Sequence, residues 1–272
     1  EMATSVITEG AIDSRQVIPG SLFVALPGER TDGHDYVTQA FERGASFAFV
    51  QRDLSTELPT LDLRHTYQPD ELTQRLAEIE GPFCIFVEDS LIALQKVAGF
   101  WRHKLYVEVI GITGSVGKST TKELLAEVLS QRYNTLKNKG NLNNEIGLPL
   151  TLLSLSPGNE RAVLEMGFYV PGEIAFLCEL ASPRIGVVTN IGTVHASRAG
   201  SQDEIARGKA ELVQALPEDG YAILNYDDAL VKGMASMTRA HVFFYGMEPA
   251  ADLWADGVES QGLEGIRFLL HY

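Results

Sequence analysis

The sequence predicts an α/β fold class, in which a small amino-terminal α/β domain precedes a larger domain with a mostly parallel sheet flanked by helices. Apolar runs of strand length alternate with segments of helical spacing along most of the 272 residues, as expected for parallel strands covered by helices. A glycine turn at 111–117 lies between one such strand and one such helix. A chain of this length can form two domains with separate cores.

The first third of the chain is predicted to form the smaller domain. Short apolar runs predict strands, and apolar residues at three- to four-residue spacing predict helices. The predicted strands are 21–26, 46–50 and 83–87, the predicted helices are 35–43, 71–79 and 90–103, and 53–69 is predicted as a loop with one short strand. The domain boundary is predicted near Lys104, which assigns 1–104 and 105–272 to separate domains.

The remaining chain predicts a regular alternation. Its predicted strands are 107–112, 162–165, 185–190, 221–224 and 241–245, with helical patterns between most of them. Ligands bind beyond the carboxyl ends of such strands. The polar residues at these ends are therefore expected to converge, namely Ser119, Glu165, the segment 190–195 and the segment 225–228. Because the chain begins without a clear first element and stops inside the strand-like run 266–272, a fragment of a longer protein is expected.

The composition excludes several classes of function. With 22 Lys and Arg residues against 36 Asp and Glu residues, the net charge is −14, which argues against a nucleic-acid or anionic-membrane surface. The two cysteines lie in apolar runs and are predicted to be buried thiols, too few for a disulfide framework. The sequence has no apolar run of transmembrane length and no opening signal peptide, so a cytosolic location is expected.

The stretch GITGSVGKSTTKE at 111–123 predicts a phosphate-binding loop. Gly114 and Gly117 can adopt backbone angles closed to other residues, so that successive N–H groups point at phosphate oxygens. Lys118 would reach the β- and γ-phosphates, Ser119 would bind Mg²⁺, and the following helix would present its positive end. The first glycine lies one residue earlier than in the general pattern, and a plain glycine turn is the alternative. The coincidence of strand, Gly-Lys-Ser and helix favours a nucleoside triphosphate site.

Three further side chains are candidates for the chemistry of such a site. Glu165 ends a predicted strand, where a carboxylate can hold Mg²⁺ directly or through water, or can simply be solvated. His195 follows the strand 185–190 and can be structural, exposed or functional. Lys209 lies among apolar positions of a predicted helix at 202–216. It can extend to solvent, or be buried with a lowered pKa that makes the neutral amine available for carbamylation.

Polar segments elsewhere have both structural and functional interpretations. The tract GNLNNEIGLP holds three asparagines before a helix start; capping explains one of them, and ligand recognition would explain the others. NYDD at 225–228 is explained by an Asx turn with an N-cap, or by ligand contact. In the first domain, Arg15 of the DSR stretch could form a bidentate phosphate contact, whereas TDGHDYV at 31–37 is also compatible with a turn and a cap.

Taken in order, these stretches resemble the Mur ligases, the ATP-dependent amide-forming enzymes of bacterial peptidoglycan assembly. The resemblance lies in TGSVGKSTTKE, NLNNEIGLPLTLL, LEMG followed by GEI, TNIG with a later histidine, IARGKAEL and LNYDD. DSR with PGSLFVALPGERTDGHDYV resembles the family's amino-terminal uridine-nucleotide domain. The resemblance covers nearly the whole chain and includes the offset first glycine of the loop. Nothing in the sequence corresponds to the family's carboxyl-terminal domain, which binds the incoming amino component.

The asparagine tract and TGSVGK favour the family member that joins D-alanyl-D-alanine to UDP-N-acetylmuramoyl-tripeptide. The resemblance then implies ATP and two Mg²⁺ ions as cofactors, a cytoplasmic monomer, no nucleic acid and no membrane insertion. It implies that the tripeptide carboxylate attacks the γ-phosphate of ATP to form an acyl phosphate. The amine of D-alanyl-D-alanine would then displace phosphate from this intermediate.

Matching motifs assign roles to individual residues, with Lys118, Lys209 and His195 as the catalytic ones. The resemblance implies ATP contacts from Thr113, Gly114, Ser115, Gly117, Lys118, Ser119, Thr120, Asn190, Asn225 and Asp228. It implies one Mg²⁺ at Ser119 and Glu165 and a second at His195 and carbamylated Lys209. It places Ser14, Arg15, Asp32, Gly33 and His34 at the UDP moiety, and Asn141, Asn143 and Asn144 at the muramoyl peptide or the metal.

Other interpretations stay open. A different Mur ligase, or a folylpolyglutamate or cyanophycin-type synthetase, would have the same architecture, although the uridine-domain resemblance disfavours the folate enzyme. A nucleotide-binding switch ATPase belongs to another class and has no need of a second metal pair at His195 and Lys209. A chain without the acceptor domain could also bind ATP and the UDP-sugar peptide without ligating them.

Overall fold

A computed structural model of the protein describes residues 7–28, 31–192, 201–262 and 265–272. Contacts divide the chain into two units, one formed by 1–104 with 149–155 and the other by 105–148 with 156–272. Both units combine parallel strands with helices, and the predicted α/β fold class is confirmed. The assignment of the two units to a uridine-nucleotide domain and an ATP-binding domain stays a prediction.

The first unit contains a parallel sheet in the order β1-β2-β3-β5-β4. Its strands are β1 (Gly10–Ala11), β2 (Leu22–Val24), β3 (Phe47–Val50), β4 (Thr60–Asp62) and β5 (Phe83–Phe86). Its helices are α1 (Val37–Glu42), α2 (Pro69–Glu78) and α3 (Ser90–His103), and two 3₁₀ turns cover Ser14–Gln16 and Gly33–Tyr36.

Local sequence explains these elements. The central strands read LFV, FAFV and FCIF and are largely buried, which is typical of parallel strands covered on both faces. Helix α3 spans the predicted residues because the Asp89 side chain caps its first turn, accepting a hydrogen bond from the Ile92 amide at 2.9 Å. The short strand predicted within 53–69 is β4.

The second unit contains a larger sheet in the order β13-β12-β11-β10-β9-β6-β8-β7, in which only the pairing of β12 with β13, at one edge, is antiparallel. Its strands are β6 (Glu108–Thr113), β7 (Thr135–Lys137), β8 (Arg161–Glu165), β9 (Ile185–Val188), β10 (Tyr221–Asn225), β11 (His241–Gly246), β12 (Leu253–Ser260) and β13 (Ile266–His271). Its helices include α4 (Lys118–Ser130), α6 (Glu173–Ala181), α7 (Gln202–Gln214) and α8 (Ala229–Gly233), while α5 (Gly147–Leu153) runs across the division between the units.

Two strands of the second unit escaped the sequence analysis. β7 has only three residues, too few to show alternation, and it forms by pairing with β8. β12 reads LWADGVES, in which polar residues interrupt the apolar run, and it pairs antiparallel with β13. Pairing with a neighbour, which the strand's own sequence does not encode, decides both elements. No helix within the described ranges has the length and apolar character needed to cross a bilayer.

Helix α4 exists as predicted, and Leu125 and Leu129 of its apolar pattern pack against the core, but the rest of the pattern does not match the buried face. Lys122 and Ala126 are buried, whereas Leu124 and Val128 are 64% and 69% exposed. A lysine takes a core-facing position because its amine finds carbonyl partners there. This position brings Lys122 to the edge of the sheet that carries the candidate site.

Candidate functional site

The phosphate-loop sequence forms the turn between β6 and α4. Gly114 and Gly117 have φ angles of +147° and +89°, which residues with a Cβ rarely adopt. At Gly114 there is also no room for a side chain, because an added Cβ would lie 1.9 Å from the Thr189 hydroxyl. Helix α4 begins at Lys118, so that its amino-terminal N–H groups and its dipole face the loop. The geometry is that of an anion-binding loop.

The end of β9 fixes the conformation of this loop. The Asn190 carboxamide accepts a hydrogen bond from the Val116 amide at 3.0 Å and donates one to the Val116 carbonyl at 2.8 Å. Thr189 donates to the same carbonyl at 2.7 Å, and the Ser115 amide donates to the Asn190 carbonyl at 2.9 Å. The loop is therefore held before any ligand arrives, which reduces the ordering cost of binding.

Two lysine amines meet on one carbonyl of the loop. Lys118 Nζ and Lys209 Nζ donate to the Gly114 oxygen at 2.8 and 3.0 Å. Burial and the nearby Lys118 charge lower the pKa of Lys209 to about 7. Burial also lowers the pKa of Lys118, against the opposing effect of the Glu165 carboxylate. The site thus combines a cation suited to phosphate with an amine that is largely neutral above pH 7.

The Phe168 ring accounts for part of the burial of Lys209. Its centroid lies 5.1 Å from Lys209 Nζ, and Lys209 is only 3% exposed. The ring fits against α7 because residue 208 is glycine, where an added Cβ would lie 1.9 Å from Phe168 Cε2. The small residue beside Lys209 therefore determines how closely the apolar ring approaches the amine.

Substitution of Gly208 by alanine is expected to lower the free energy of unfolding by about 1–3 kcal/mol, because an overpacked core must displace the Phe168 ring. Chemical denaturation of the variant measures this effect. The matched control is Gly233→Ala, since Gly233 is also helical but has nothing within 4 Å of an added Cβ. Alanine there is expected to raise stability by up to about 1 kcal/mol. Equal effects of the two substitutions would contradict the packing argument.

Glu165 lies at the carboxyl end of β8, beside the loop. The Ser119 hydroxyl donates to its Oε2 atom at 2.8 Å, and the Asn143 carboxamide donates to its Oε1 atom at 2.8 Å. Glu165 is 3% exposed, so both carboxylate oxygens are fixed. A serine hydroxyl next to a carboxylate is a hard oxygen donor set of the kind that Mg²⁺ uses together with water and phosphate. The described residues include no group of three or more His, Cys, Asp and Glu side chains that could hold a metal alone.

The residues predicted near adenine and ribose lie at the same sheet edge. Asn225 donates to the Thr189 carbonyl at 2.9 Å, and Asp228 accepts from the Ile191 amide at 2.7 Å while capping α8. The turn-and-cap interpretation of NYDD is thus realised, and a nucleotide contact stays a prediction. Thr113 is buried and donates to the Met166 carbonyl, whereas Thr120 is exposed. His195 lies outside the described residues.

The three predicted asparagines occupy different environments. Asn143 contacts the Glu165 carboxylate, as described above. Asn144 accepts hydrogen bonds from the Ile146 and Gly147 amides at 3.3 and 2.9 Å and so caps the start of α5. Asn141 is exposed. The asparagine tract 141–144 therefore extends from Glu165, the candidate metal ligand, to the protein surface.

A cleft of about 560 Å³ opens in the first unit. Its lining includes three of the residues predicted for the UDP moiety, Ser14, Arg15 and Gly33, and also Asp13 and Gln39. Arg15 is 79% exposed and paired with Asp13 at 2.7 Å. Hydrogen bonds from Arg15 lower the pKa of Asp13 to about 2. An exposed guanidinium in the lining of this cleft suits an anionic ligand.

Asp32 and His34 support this cleft and are absent from its lining. The buried His34 ring lies 2.5 Å from Asp32 through Nδ1 and accepts a hydrogen bond from the Gln51 amide at Nε2, 2.9 Å away. Because Nε2 accepts, the proton lies on Nδ1 and points to the carboxylate. The backbone hydrogen bond from His34, followed by the side-chain one, lowers the pKa of Asp32. This pair fixes the turn that places Gly33 at the cleft.

The sequence of this chain is similar to known protein families over both units. Residues 112–271 match the Mur ligase middle domain, and residues 6–79 match the catalytic domain of the Mur ligase family. The chain belongs to the Mur ligase family. The middle-domain match includes Lys118, Glu165 and Lys209, the three residues around which the site is arranged.

Two relatives and one solved structure illustrate the similarity. The UDP-N-acetylmuramoyl-tripeptide–D-alanyl-D-alanine ligase of Synechocystis is 40% identical over 253 residues, covering 93% of this chain and 48% of the relative. The same enzyme of Bacillus subtilis is 39% identical over 266 residues, covering 98% and 53%. A MurF ligase from Thermotoga maritima, solved in complex with ADP, has 29% identity and a TM-score of 0.75, covering 98% and 58%. The chain thus spans about half the length of the curated relatives it matches.

Four residues of this Mur ligase site escaped the sequence analysis. Thr189 locks the loop, Phe168 buries Lys209, and Lys122 and Asn138 surround Glu165. Of these, Lys122, Asn138 and Thr189 carried a usable signal, because each is a polar residue in or beside a motif already singled out. Phe168 reads as an ordinary apolar residue after a strand.

Proposed function

We propose that the intact protein is an ATP-dependent amide ligase of cytoplasmic peptidoglycan precursor synthesis, joining D-alanyl-D-alanine to UDP-N-acetylmuramoyl-tripeptide through an acyl phosphate. The observation that carries the proposal is the phosphate loop with Lys118 on one side and the Ser119–Glu165 pair, 2.8 Å apart, on the other. The similarity to enzymes of this activity and to an ADP complex supports it.

The residues of the loop have distinct roles in this proposal. The loop amides and Lys118 bind and orient the triphosphate, and Lys118 offsets the negative charge of the transferred phosphoryl group. Ser119 and Glu165 would hold one Mg²⁺, which supplies charge neutralisation at the phosphates when bound. His195 and a carbamylated Lys209 would hold a second ion. The buried amine of Lys209, with its pKa lowered to about 7, supports the carbamate because only a neutral amine reacts with CO₂.

The cleft of the first unit would bind the uridine diphosphate of the sugar-peptide substrate. Its lining includes the Ser14 hydroxyl, which donates to Gln39 Oε1 at 2.6 Å, and the exposed side chain of Arg15. Since the overall charge of the chain is −14, a diphosphate needs such a local cation.

Replacing Arg15 by alanine is expected to weaken binding of the UDP-sugar peptide about tenfold, the loss typical of one charge-assisted contact. Calorimetric titration measures this affinity. Because Arg15 is 79% exposed, the free energy of unfolding should stay unchanged. The matched control is Arg75→Ala, another exposed arginine of the first unit, which pairs with Glu71 at 3.3 Å and lies outside the cleft lining. Unaltered donor affinity in Arg15→Ala would remove this residue from the site.

A nucleotide-binding switch ATPase is the second candidate, because the phosphate loop alone fits it equally well. Lys209 separates the two functions. A switch protein needs no buried amine at the loop, and burying a lysine there costs free energy, because the side chain must be desolvated as a cation or give up its proton. The Lys209 contact with Gly114 at 3.0 Å therefore favours the ligase.

Calorimetric titration of this chain with UDP-N-acetylmuramoyl-tripeptide, with and without a non-hydrolysable MgATP analogue, tests the proposal. Saturable binding of both ligands would support the ligase and place donor recognition within these residues. Nucleotide binding without sugar-peptide binding would leave a P-loop ATPase, or a donor site that needs further residues of the protein. A longer chain carrying those residues separates the last two cases.

A further inference from the structure

We infer that Asn138 is a positioning residue for Glu165, and that the buried amine of Lys122 keeps Asn138 in place for this task. The inference rests on the proposed function, because Glu165 is the carboxylate assigned to Mg²⁺ there. Neither residue contacts the phosphate loop carbonyls or the Ser119 hydroxyl in the contacts described above. Their action would therefore pass through Glu165.

The first observation is that the Asn138 carboxamide bonds to the backbone of β8 just beyond the point where the backbone pairing of β7 with β8 ends. The parallel pairing of β7 with β8 ends at Lys137 and Val163, two residues before Glu165. Asn138 Oδ1 accepts from the Glu165 amide at 2.9 Å, and Asn138 Nδ2 donates to the Glu165 carbonyl at 3.0 Å. A carboxamide has the donor and acceptor of a peptide group, so it replaces the missing strand neighbour. The backbone of Glu165 is thereby held on the side that β7 has left.

The second observation is that a buried lysine binds the segment that follows β7. Lys122 is 1% exposed, and its Nζ atom donates to the Asn138 carbonyl at 2.9 Å and the Gly140 carbonyl at 3.1 Å. The same atom lies 3.9 Å from Glu165 Oε2. A buried ammonium must be fully partnered to be tolerated. The segment after β7 is thus bound from α4, and Asn138, which is fully buried, cannot leave its position without taking from Lys122 the nearer of its two carbonyl partners.

The third observation is the direct path to the carboxylate. Asn138 Nδ2 also donates to the Leu142 carbonyl at 2.8 Å, next to Asn143, which contacts Glu165 Oε1. Backbone and side chain of Glu165 are therefore both fixed by one short segment, 138–143. Residues that orient a metal ligand in this way typically change metal affinity by about 10- to 100-fold when removed.

The test uses Asn138→Ala, with Mn²⁺ as a paramagnetic substitute for Mg²⁺. Electron paramagnetic resonance gives the affinity of the ADP complex for Mn²⁺, and calorimetry with a chelator present gives the affinity for metal-free ADP. We expect Mn²⁺ affinity to fall about tenfold or more, with metal-free ADP affinity unchanged. Asn138→Ser keeps one hydrogen-bonding group, so its Mn²⁺ affinity should lie between those of the wild type and of Asn138→Ala. This variant replaces Asn138→Ala if the alanine variant does not fold.

The matched control is Asn134→Ala, at the other end of β7, where the exposed side chain bonds to Asn159 at 3.1 Å. This control should bind both ligands like the wild type. Folded Asn138 variants with wild-type Mn²⁺ affinity would overturn the inference. This holds even if their unfolding temperature is lower, because a residue with only a structural role changes stability and leaves metal affinity unchanged. In that case wild-type binding of ADP and Mn²⁺ leaves the proposed function intact. Failure of the wild type to bind ADP would instead overturn both.

Discussion

Replacing Lys118 by alanine is expected to abolish ATP turnover in the intact protein, with a loss of at least about 10²–10³-fold in kcat. The amine lies 2.8 Å from the Gly114 carbonyl, inside the loop that would surround the phosphates. No other group of the loop carries a positive charge on a side chain long enough to follow the γ-phosphate. A coupled assay of ADP release measures the effect.

The control for this prediction is Lys137→Ala, which removes a lysine from the same unit without touching the loop. Lys137 is 39% exposed and pairs with Glu123. Its loss should leave turnover close to the wild-type value, because exposed ion pairs contribute little. Wild-type turnover in Lys118→Ala would exclude the phosphate loop from the mechanism.

Replacing Lys209 by alanine is expected to lose activity that short-chain carboxylates such as acetate partly restore. The physical reason is the burial of the amine, which lowers its pKa to about 7 and leaves it largely neutral at pH 8, where it can react with CO₂. A small carboxylate would occupy the space of the missing carbamate and return its negative charge to the site. ADP release with increasing acetate concentration measures the recovery.

Arg207→Ala is the matched control for Lys209, since Arg207 is exposed on the same helix, α7. It should retain activity and show no response to acetate. Full activity of Lys209→Ala without any carboxylate would end the carbamate hypothesis. Lost activity without recovery would favour a role for the amine itself, as a hydrogen-bond donor to the Gly114 carbonyl.

The local parts of this site could be predicted from the sequence. Gly114, Gly117, Lys118 and Ser119 are close in the chain, and their geometry follows from the angles that glycine permits and from the start of a helix. Glu165 could be predicted because a polar residue that ends an apolar strand must lie at the edge of the sheet. The alternation of strands and helices was sufficient for the fold class.

The sequence by itself was sufficient to predict most of the strands and helices, the convergence of their polar ends at one edge, and a loop suited to a nucleoside triphosphate. Only the tertiary structure decided that Lys122 lies inward while Leu124 is exposed, and that Phe168 covers Lys209 because residue 208 is glycine. These outcomes depend on partners distant in the chain. A pattern of apolar residues records average burial along a helix, but it does not record which carbonyl lies within reach of a lysine or which ring fills the space beside a glycine. Packing between elements chooses those partners, and the roles of Lys209 and Glu165 depend on that choice.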